Sequence, residues 1–380
     1  MRIQIDGTGV INKGAELMLY AIVNEVIQKL PDVDLLYNGI GKVPSFFNGK
    51  VKKRNGIGWG EFLEPFHVQS ILRRINFSYN IFSLRYALSG IDVVIDAGGF
   101  QFSDQFFITN TDLKQLERYY SRLKKNGTKI ILLPQAYGPF KTDIGKKIAA
   151  ILNTYVDVIF VRDKVSLNYL KEVQIDYDKI VLFPDFTALV SSVLPEKYAY
   201  LQGAVGVIPN YQMIKKTSTH ANDYIHFLCS IIEHVKAKGY NVFMLNHEGE
   251  LDLSLCNDVN SLLDSKIEIV TGLNALEIKG VISQCYFLIS SRYHGIVNAL
   301  NTGVPCVATS WSHKYKELFG DFGLTSKLIN VDQGKNALST IDSLLLMEEN
   351  QLVREQLKEA HECINSKNIA MWEIVWNKIL

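Results

Sequence analysis

Short apolar runs rich in β-branched residues alternate along this chain with longer stretches of helical periodicity, and most runs end in a turn marked by glycine, proline or asparagine. The runs at 93–96 and 129–133 are almost continuously apolar, as strands buried on both faces must be, and 3–6, 33–37 and 158–161 read as further strands. Between them, apolar spacing predicts helices over 14–30, 113–126, 142–155 and 166–173. Parallel strands need crossovers a dozen or more residues long, and helices of this length supply them. The pattern breaks at 191–202, where Pro195 sits among polar residues, and then restarts. Strands are predicted at 204–208, 241–245, 287–289 and 306–309, and helices at 224–238, 274–284 and 296–301. The expected fold class is therefore α/β, with two domains at 1–195 and 203–365. A terminal helix at 366–380 is expected to pack back on the first domain through Met371, Trp372, Ile374, Val375 and Ile379.

A chain of 380 residues suits two such domains, and 47% hydrophobic residues can fill their cores. With 40 basic against 39 acidic residues, no global field draws it to nucleic acid. No apolar run approaches the roughly 18 residues of a membrane span. The start, Met-Arg-Ile-Gln-Ile-Asp-Gly, reads as a strand with an early acid and not as a signal peptide. Cysteines 229, 256, 285, 306 and 363 are scattered, which suits free thiols in a cytoplasmic protein and supplies no zinc pattern. No metal and no cofactor are expected. Residues 66–88 are aromatic and basic without an acid, just after Lys50, Lys52, Lys53 and Arg54. They read first as a helical cover over the sheet. The alternative is a surface meeting anionic lipid or a lipid-tailed acceptor, which implies peripheral membrane association.

The chemistry concentrates at the ends of predicted strands. After the run at 286–289 come Ser290, Ser291, Arg292, Tyr293, His294 and Gly295, and then a helical pattern. A helix start carries unpaired N–H groups and attracts anions, and Arg292 adds a planar fork that fits carboxylate or phosphate. A small, doubly anionic ligand suits this place. The first turn, Gly7 to Gly14, nearly matches a dinucleotide fingerprint. Asn12 replaces its third glycine and no acid ends the second strand, so a nicotinamide cofactor is not expected. Asp96, Gly98, Gly99 and Asp104 follow the strand at 93–96. Asp96 and Asp104 are candidate partners of an acceptor hydroxyl, against the ordinary reading of turn formers or caps. Gln135, Arg162 with Asp163, and Pro184 with Asp185 close further strands. His247, in Asn246-His247-Glu248, reads as a surface histidine before it reads as a ligand contact. Lys314 follows the last strand and reads as a solvated lysine unless it reaches the same anion as Arg292.

Taken together, these motifs resemble the polysaccharide pyruvyl transferase family. The likeness covers roughly residues 5–325 in order. It takes in Asn12-Lys13-Gly14-Ala15-Glu16, the stretch 92–104 around Gly98-Gly99, and Pro134-Gln135 with Gly138-Pro139. Arg162-Asp163 with Ser166 and Pro184-Asp185 follow, then Ser291-Arg292-Tyr293-His294-Gly295, Gly303-Val304-Pro305 and Lys314. The resemblance implies two Rossmann-like domains facing across a cleft, as in GT-B glycosyltransferases. It also implies phosphoenolpyruvate as donor, a sugar acceptor that is often lipid-linked, a pyruvate ketal as product, and work at the inner face of the membrane. The family's arginine and Arg-x-His pair fall on Arg162, Arg292 and His294.

On that reading Arg292 and His294 are catalytic, with Asp96 and Asp104 as bases. Arg162, Arg292, His294, Lys314, Ser291 and Gly295 bind the donor. Asn12, Glu16, Gly98, Gly99 and Gln135 meet the acceptor, with Glu16 a further candidate base. Two rivals keep the fold and change the chemistry: a glycosyltransferase using a nucleotide sugar, and a sugar-binding relative without catalysis.

Overall fold

A computed structural model describes residues 1–39, 42–47, 49–54, 90–105, 109–216, 221–309, 313–329 and 334–380, apart from the side chains of 216, 221, 222, 313, 314 and 334–336. The basic aromatic stretch 66–88 lies outside the described residues.

The first sheet is built from β1 (Arg2–Asp6), β2 (Asp34–Tyr37), β3 (Val51–Lys53), β4 (Val93–Asp96), β5 (Lys129–Gln135), β6 (Val158–Val161) and β7 (Ile180–Leu182). Its order is β3-β2-β1-β4-β5-β6-β7, and every pair is parallel. Helices α1 (Lys13–Lys29), α2 (Asn110–Lys125), α3 (Asp143–Tyr155) and α4 (Lys164–Glu172) connect and cover it. Each begins at a residue whose side chain accepts a backbone N–H: Asn12, Thr109, Thr142 and Asp163.

The second sheet comprises β8 (Val205–Ile208), β9 (Val242–Leu245), β10 (Glu268–Val270), β11 (Phe287–Ser290), β12 (Cys306–Thr309) and β13 (Leu328–Ile329). Its order, β10-β9-β8-β11-β12-β13, repeats the logic of the first, and it too is parallel. Around it lie α5 (Ala221–Ala237), α6 (Gly249–Leu262), α7 (Ala275–Ser283), α8 (Tyr293–Asn301), α9 (His313–Asp321) and α10 (Gly334–Leu345). The expected pair of Rossmann-like, GT-B-like domains is what the chain forms.

In each sheet the strand order reverses between two neighbours, β1 and β4 in one and β8 and β11 in the other. Loops leaving such a pair turn in opposite directions and open a crevice at the carboxyl ends of the strands. Those ends carry Asp6 beside Asp96, and Ile208 beside Ser290. Both turns singled out in the sequence sit at these crevices.

The terminal helix differs from expectation. Residues 366–380 are not a separate element, because α11 runs unbroken from Met347 to Ile379. Its first half packs on the second domain through Val353, Leu357 and Ile364, and its end delivers Met371, Trp372, Val375, Trp376 and Ile379 into the first-domain core. Each such buried side chain stabilises by about 1.5–3 kcal/mol, enough for one helix to strap both domains. Ala275 and Leu276 of α7 join the same first-domain core. From α7 the buried Lys279 ammonium donates to the carbonyls of Thr187, Ala188 and Val190, pinning the chain that leaves the first domain.

Candidate functional site

The two crevices face one another and enclose a cleft of about 340 Å³, a size that suits a small ligand. The first domain lines it with Asn12, Gly98, Gly99 and Arg162, and the second with Asn210, His247, Glu248, Arg292, Tyr293 and His294.

Asn12 has two partners. Its Oδ1 accepts the Ala15 N–H at 3.0 Å and so caps α1, while its Nδ2 donates to Glu248 Oε1 at 2.9 Å across the cleft. Two residues on, Gly14 leaves the space into which the His294 ring fits, and a Cβ there would overlap that ring. On the neighbouring turn, Gly98 N–H donates to Asp96 Oδ1 at 3.0 Å. Gly99, with φ +68°, turns its carbonyl to the Ala136 N–H at 2.9 Å and to Arg162 at 3.3 Å.

Arg162 ends β6 and is buried. One guanidinium nitrogen lies 3.6 Å from Asp185 Oδ2, and the guanidinium carbon is 4.6 Å from the Tyr293 ring centroid. A first-domain arginine is thus stacked on a second-domain aromatic, which adds attraction beyond packing.

Arg292 caps α8 from the second domain, its N–H donating to Ser290 Oγ at 3.0 Å. Its planar fork is spent inside the protein. Nε and one terminal nitrogen donate to the two oxygens of Asp252 at 2.7 and 2.6 Å, and the other terminal nitrogen pairs with Glu248. Asp252 is fully buried on the first turn of α6, so its carboxylate needs a bidentate cation. The expectation of a free fork for the ligand is corrected: a single nitrogen of Arg292 is left to face a ligand, and Glu248 holds it. Next along, His294 points Nε2 toward Asp185 Oδ2 at 3.8 Å. Asp185 is steadied by the Thr187 N–H at 3.0 Å and the Thr187 hydroxyl at 2.5 Å.

Several expected contacts lie elsewhere. The Ser291 hydroxyl is buried beneath the turn, bonded to Tyr224 at 2.6 Å and Thr309 at 2.5 Å, so it supports the turn and does not face the cleft. Gly295 is a packing glycine, since a Cβ there would come within 2.8 Å of Ser290 Oγ and 2.9 Å of Ile208 Cδ1. Asp104 accepts from the Lys141 and Thr142 backbone and the Thr142 hydroxyl, at 2.7, 3.2 and 2.6 Å. It fastens the loop before α3 and is no base for the cleft. Glu16 is buried against α7 and paired with Lys13 at 2.7 Å, and burial raises its carboxyl. It is an interdomain packing residue and does not line the cleft. Gln135 is wholly buried beside Asp96 and does not line the cleft. Lys314 belongs to α9, but its side chain lies outside the described residues.

Asp96 sits under the glycine turn, 5% exposed, accepting from Gln101 Nε2 at 2.5 Å. Burial and the neighbouring Asp6 carboxyl push it up to about 6. Asp6, absent from the expected set, is held by Gln4 at 2.7 Å, Asn38 at 2.9 Å and Tyr119. The pair forms the floor of the first crevice.

Sequence reasoning also missed Asp252, the pairing of Glu248 with Arg292 and the depth of His247. His247 is 4% exposed and lines the cleft, not the outer surface. Burial, and then the charges of Arg292, His294 and Lys13, hold its imidazole well below the usual histidine range. The available signal was its place at the carboxyl end of a central parallel strand, where ligand-facing groups gather.

A family model of the polysaccharide pyruvyl transferases matches residues 12–313, which takes in every cleft residue described above. The chain belongs to that family. The amylovoran biosynthesis protein AmsJ of Erwinia amylovora is 20% identical over 258 residues, which is 62% of this chain and 61% of AmsJ. The match thus spans about three fifths of the relative's length. Among solved structures, the UDP-GlcNAc 2-epimerase of Neisseria meningitidis superposes with a TM-score of 0.63 at 11% identity, covering 99% of this chain and all of its own. MnaA of S. aureus, solved with UDP, gives 0.61 at 13% identity, with 100% and 97% covered. At such identities the likeness establishes the two-domain fold alone. No helix among the described residues is long and apolar enough to cross a membrane.

Proposed function

We propose that this protein transfers the pyruvyl group of phosphoenolpyruvate to a sugar residue of a polysaccharide or lipid-linked glycan precursor. A ketal forms across two sugar hydroxyls and inorganic phosphate is released. The observation that carries this reading is the convergence of Arg162 from one domain with Arg292 and His294 from the other on a single cleft, in a chain of the pyruvyl transferase family.

Phosphoenolpyruvate bears its carboxylate and its phosphate on one carbon, so its binding needs cations approaching from different sides. Arg162 supplies one side, and the Arg292 nitrogen now held by Glu248 supplies the other, beside the unpaired N–H groups that open α8. Glu248 occupies the place of the ligand's anion and must give way when the donor enters. His294, with the Asp185 carboxylate 3.8 Å from its Nε2, protonates the methylene carbon. Positive charge develops at the central carbon, a sugar hydroxyl attacks it, and a second hydroxyl displaces phosphate, whose charge the arginines hold. The Gly98-Gly99 turn lets the sugar approach the backbone of the first domain. The enzyme works in the cytoplasm, at the inner membrane face where its acceptor is lipid-linked.

The test is phosphate release from phosphoenolpyruvate by the purified protein with galactosyl, mannosyl and N-acetylhexosaminyl acceptors. Acceptor-dependent release is expected. Release of a nucleoside diphosphate from sugar nucleotides, with phosphoenolpyruvate untouched, would replace this reading with glycosyl transfer.

A further inference from the structure

We infer that His247 is a catalytic residue of the cleft, the group that takes the proton of the sugar hydroxyl attacking the donor. The inference rests on the pyruvyl-transfer reading and supplies the base which that reading lacks, since Asp104 and Glu16 are engaged elsewhere and Asp96 lies beneath the turn.

The ring stands just past the end of β9, beside the second switch point, and lines the cleft while 4% exposed. Neither of its nitrogens has a hydrogen-bond partner among the described residues. Leaving two buried polar atoms unmet costs stability, so nothing in the packing explains an imidazole here where an apolar side chain would serve better. Such groups persist where they act on a ligand. Arg292, His294 and Lys13 disfavour a proton on it, and the adjacent carboxylate of Glu248 is taken up by Arg292 and Asn12. Burial first, and then these cations, keep the ring unprotonated, with a lone pair free at neutral pH. His294 differs in kind, because a carboxylate oxygen of Asp185 lies 3.8 Å from its Nε2. Two imidazoles in one cleft, one facing cations and one facing a carboxylate, divide naturally into base and acid.

The step balances. His294 gives a proton to the methylene carbon, whose double-bond electrons form the new C–H bond. The sugar oxygen forms a bond to the central carbon as its hydrogen passes to His247. The second hydroxyl oxygen then bonds to the same carbon as its hydrogen passes to the now neutral His294, and the C–O bond to phosphate breaks, with phosphate leaving on the electron pair and taking the proton from His247. Overall, one hydroxyl hydrogen ends on the methyl group and the other on phosphate, and both histidines return to their starting states.

The experiment compares wild type, His247→Gln and His247→Leu by phosphate release, phosphoenolpyruvate affinity and thermal melting. Turnover should fall by about 100-fold or more in both variants. Affinity for phosphoenolpyruvate should stay within about threefold. The melting temperature of His247→Leu should equal or exceed that of wild type, because an unmet polar group has been removed. Turnover kept within about threefold of wild type in either variant would overturn the inference. So would lost turnover with a matching drop in melting temperature, or failure of both variants to fold, since these mark a structural residue. A wild-type protein inert toward phosphoenolpyruvate would sink the functional reading itself, and this inference with it.

Discussion

The His294 ring of the second domain fills the space that a side chain on Gly14 of the first would need. The contact makes a glycine in the first turn of α1 a condition for domain closure, and sets the imidazole at the cleft from both sides. In an ordinary helix Gly→Ala stabilises by about 1 kcal/mol. Gly14→Ala should bring no such gain, and should reduce kcat/KM by about 100-fold as the ring is displaced. Melting curves and steady-state kinetics on the same preparation decide this. A stabilised, fully active variant would show that the ring has somewhere else to go.

Arg292 is positioned by Asp252 before it meets any ligand. Lysine cannot hold both carboxylate oxygens and still present a nitrogen to the cleft. Arg292→Lys should therefore lose about 100-fold or more in kcat/KM. Asp252→Ala strands a buried cation and should cost about 3 kcal/mol in urea unfolding. Near-normal kinetics in the lysine variant would remove Arg292 from the site.

On the proposed function, Glu248 competes with the donor for Arg292. Its replacement by glutamine keeps the shape and weakens the internal pair by about 1 kcal/mol, so the KM for phosphoenolpyruvate should fall about fivefold. Few cleft substitutions are expected to improve apparent affinity, which makes the direction informative. A raised KM would mean that Glu248 serves the ligand and does not stand in for it.

Asp96 carries a pH signature in stability. Its folded-state value of about 6 lies above the ordinary 3.8, so the folded protein binds the extra proton. Stability from this group is complete below the ordinary value and is lost as pH rises through about 6. Asp96→Asn can keep the bonds from Gly98 and Gln101 and escapes that loss. Its advantage over wild type should grow between pH 4 and pH 6.5 and level off above, at about 2–3 kcal/mol. Parallel melting curves across that range would show an ordinary, solvated carboxylate instead.

Much of this architecture is legible in local pattern. Runs such as 93–96 and 158–161 are so uniformly apolar that they match β4 and β6 residue for residue. The short edge strands β3, β7, β10 and β13 were not predicted, because two or three residues at a sheet margin carry no periodicity. Helix α6 was missed too: its buried face includes Asp252, an acid that reads as surface until its arginine partner is known. The same blind spot shaped the site. Charge and turn chemistry pointed to Arg162, Arg292 and His294, but the sequence does not say which carboxylates these cations already hold. Ser291 and Gly295 adjoin Arg292 and His294 in the chain but do not line the cleft, since successive positions in a turn point in different directions. His247 lay hidden because the local pattern of the chain does not reveal how deeply a residue past a strand end is buried.

Whether groups from both domains grip one donor is tested most directly by the affinity of phosphoenolpyruvate for Arg162→Lys, measured by calorimetry. Arg162 belongs to the first domain, while Arg292 and His294 belong to the second. If they share one ligand, affinity should drop about tenfold or more, although nothing in the second domain has changed. Wild-type affinity in Arg162→Lys would contradict the shared cleft.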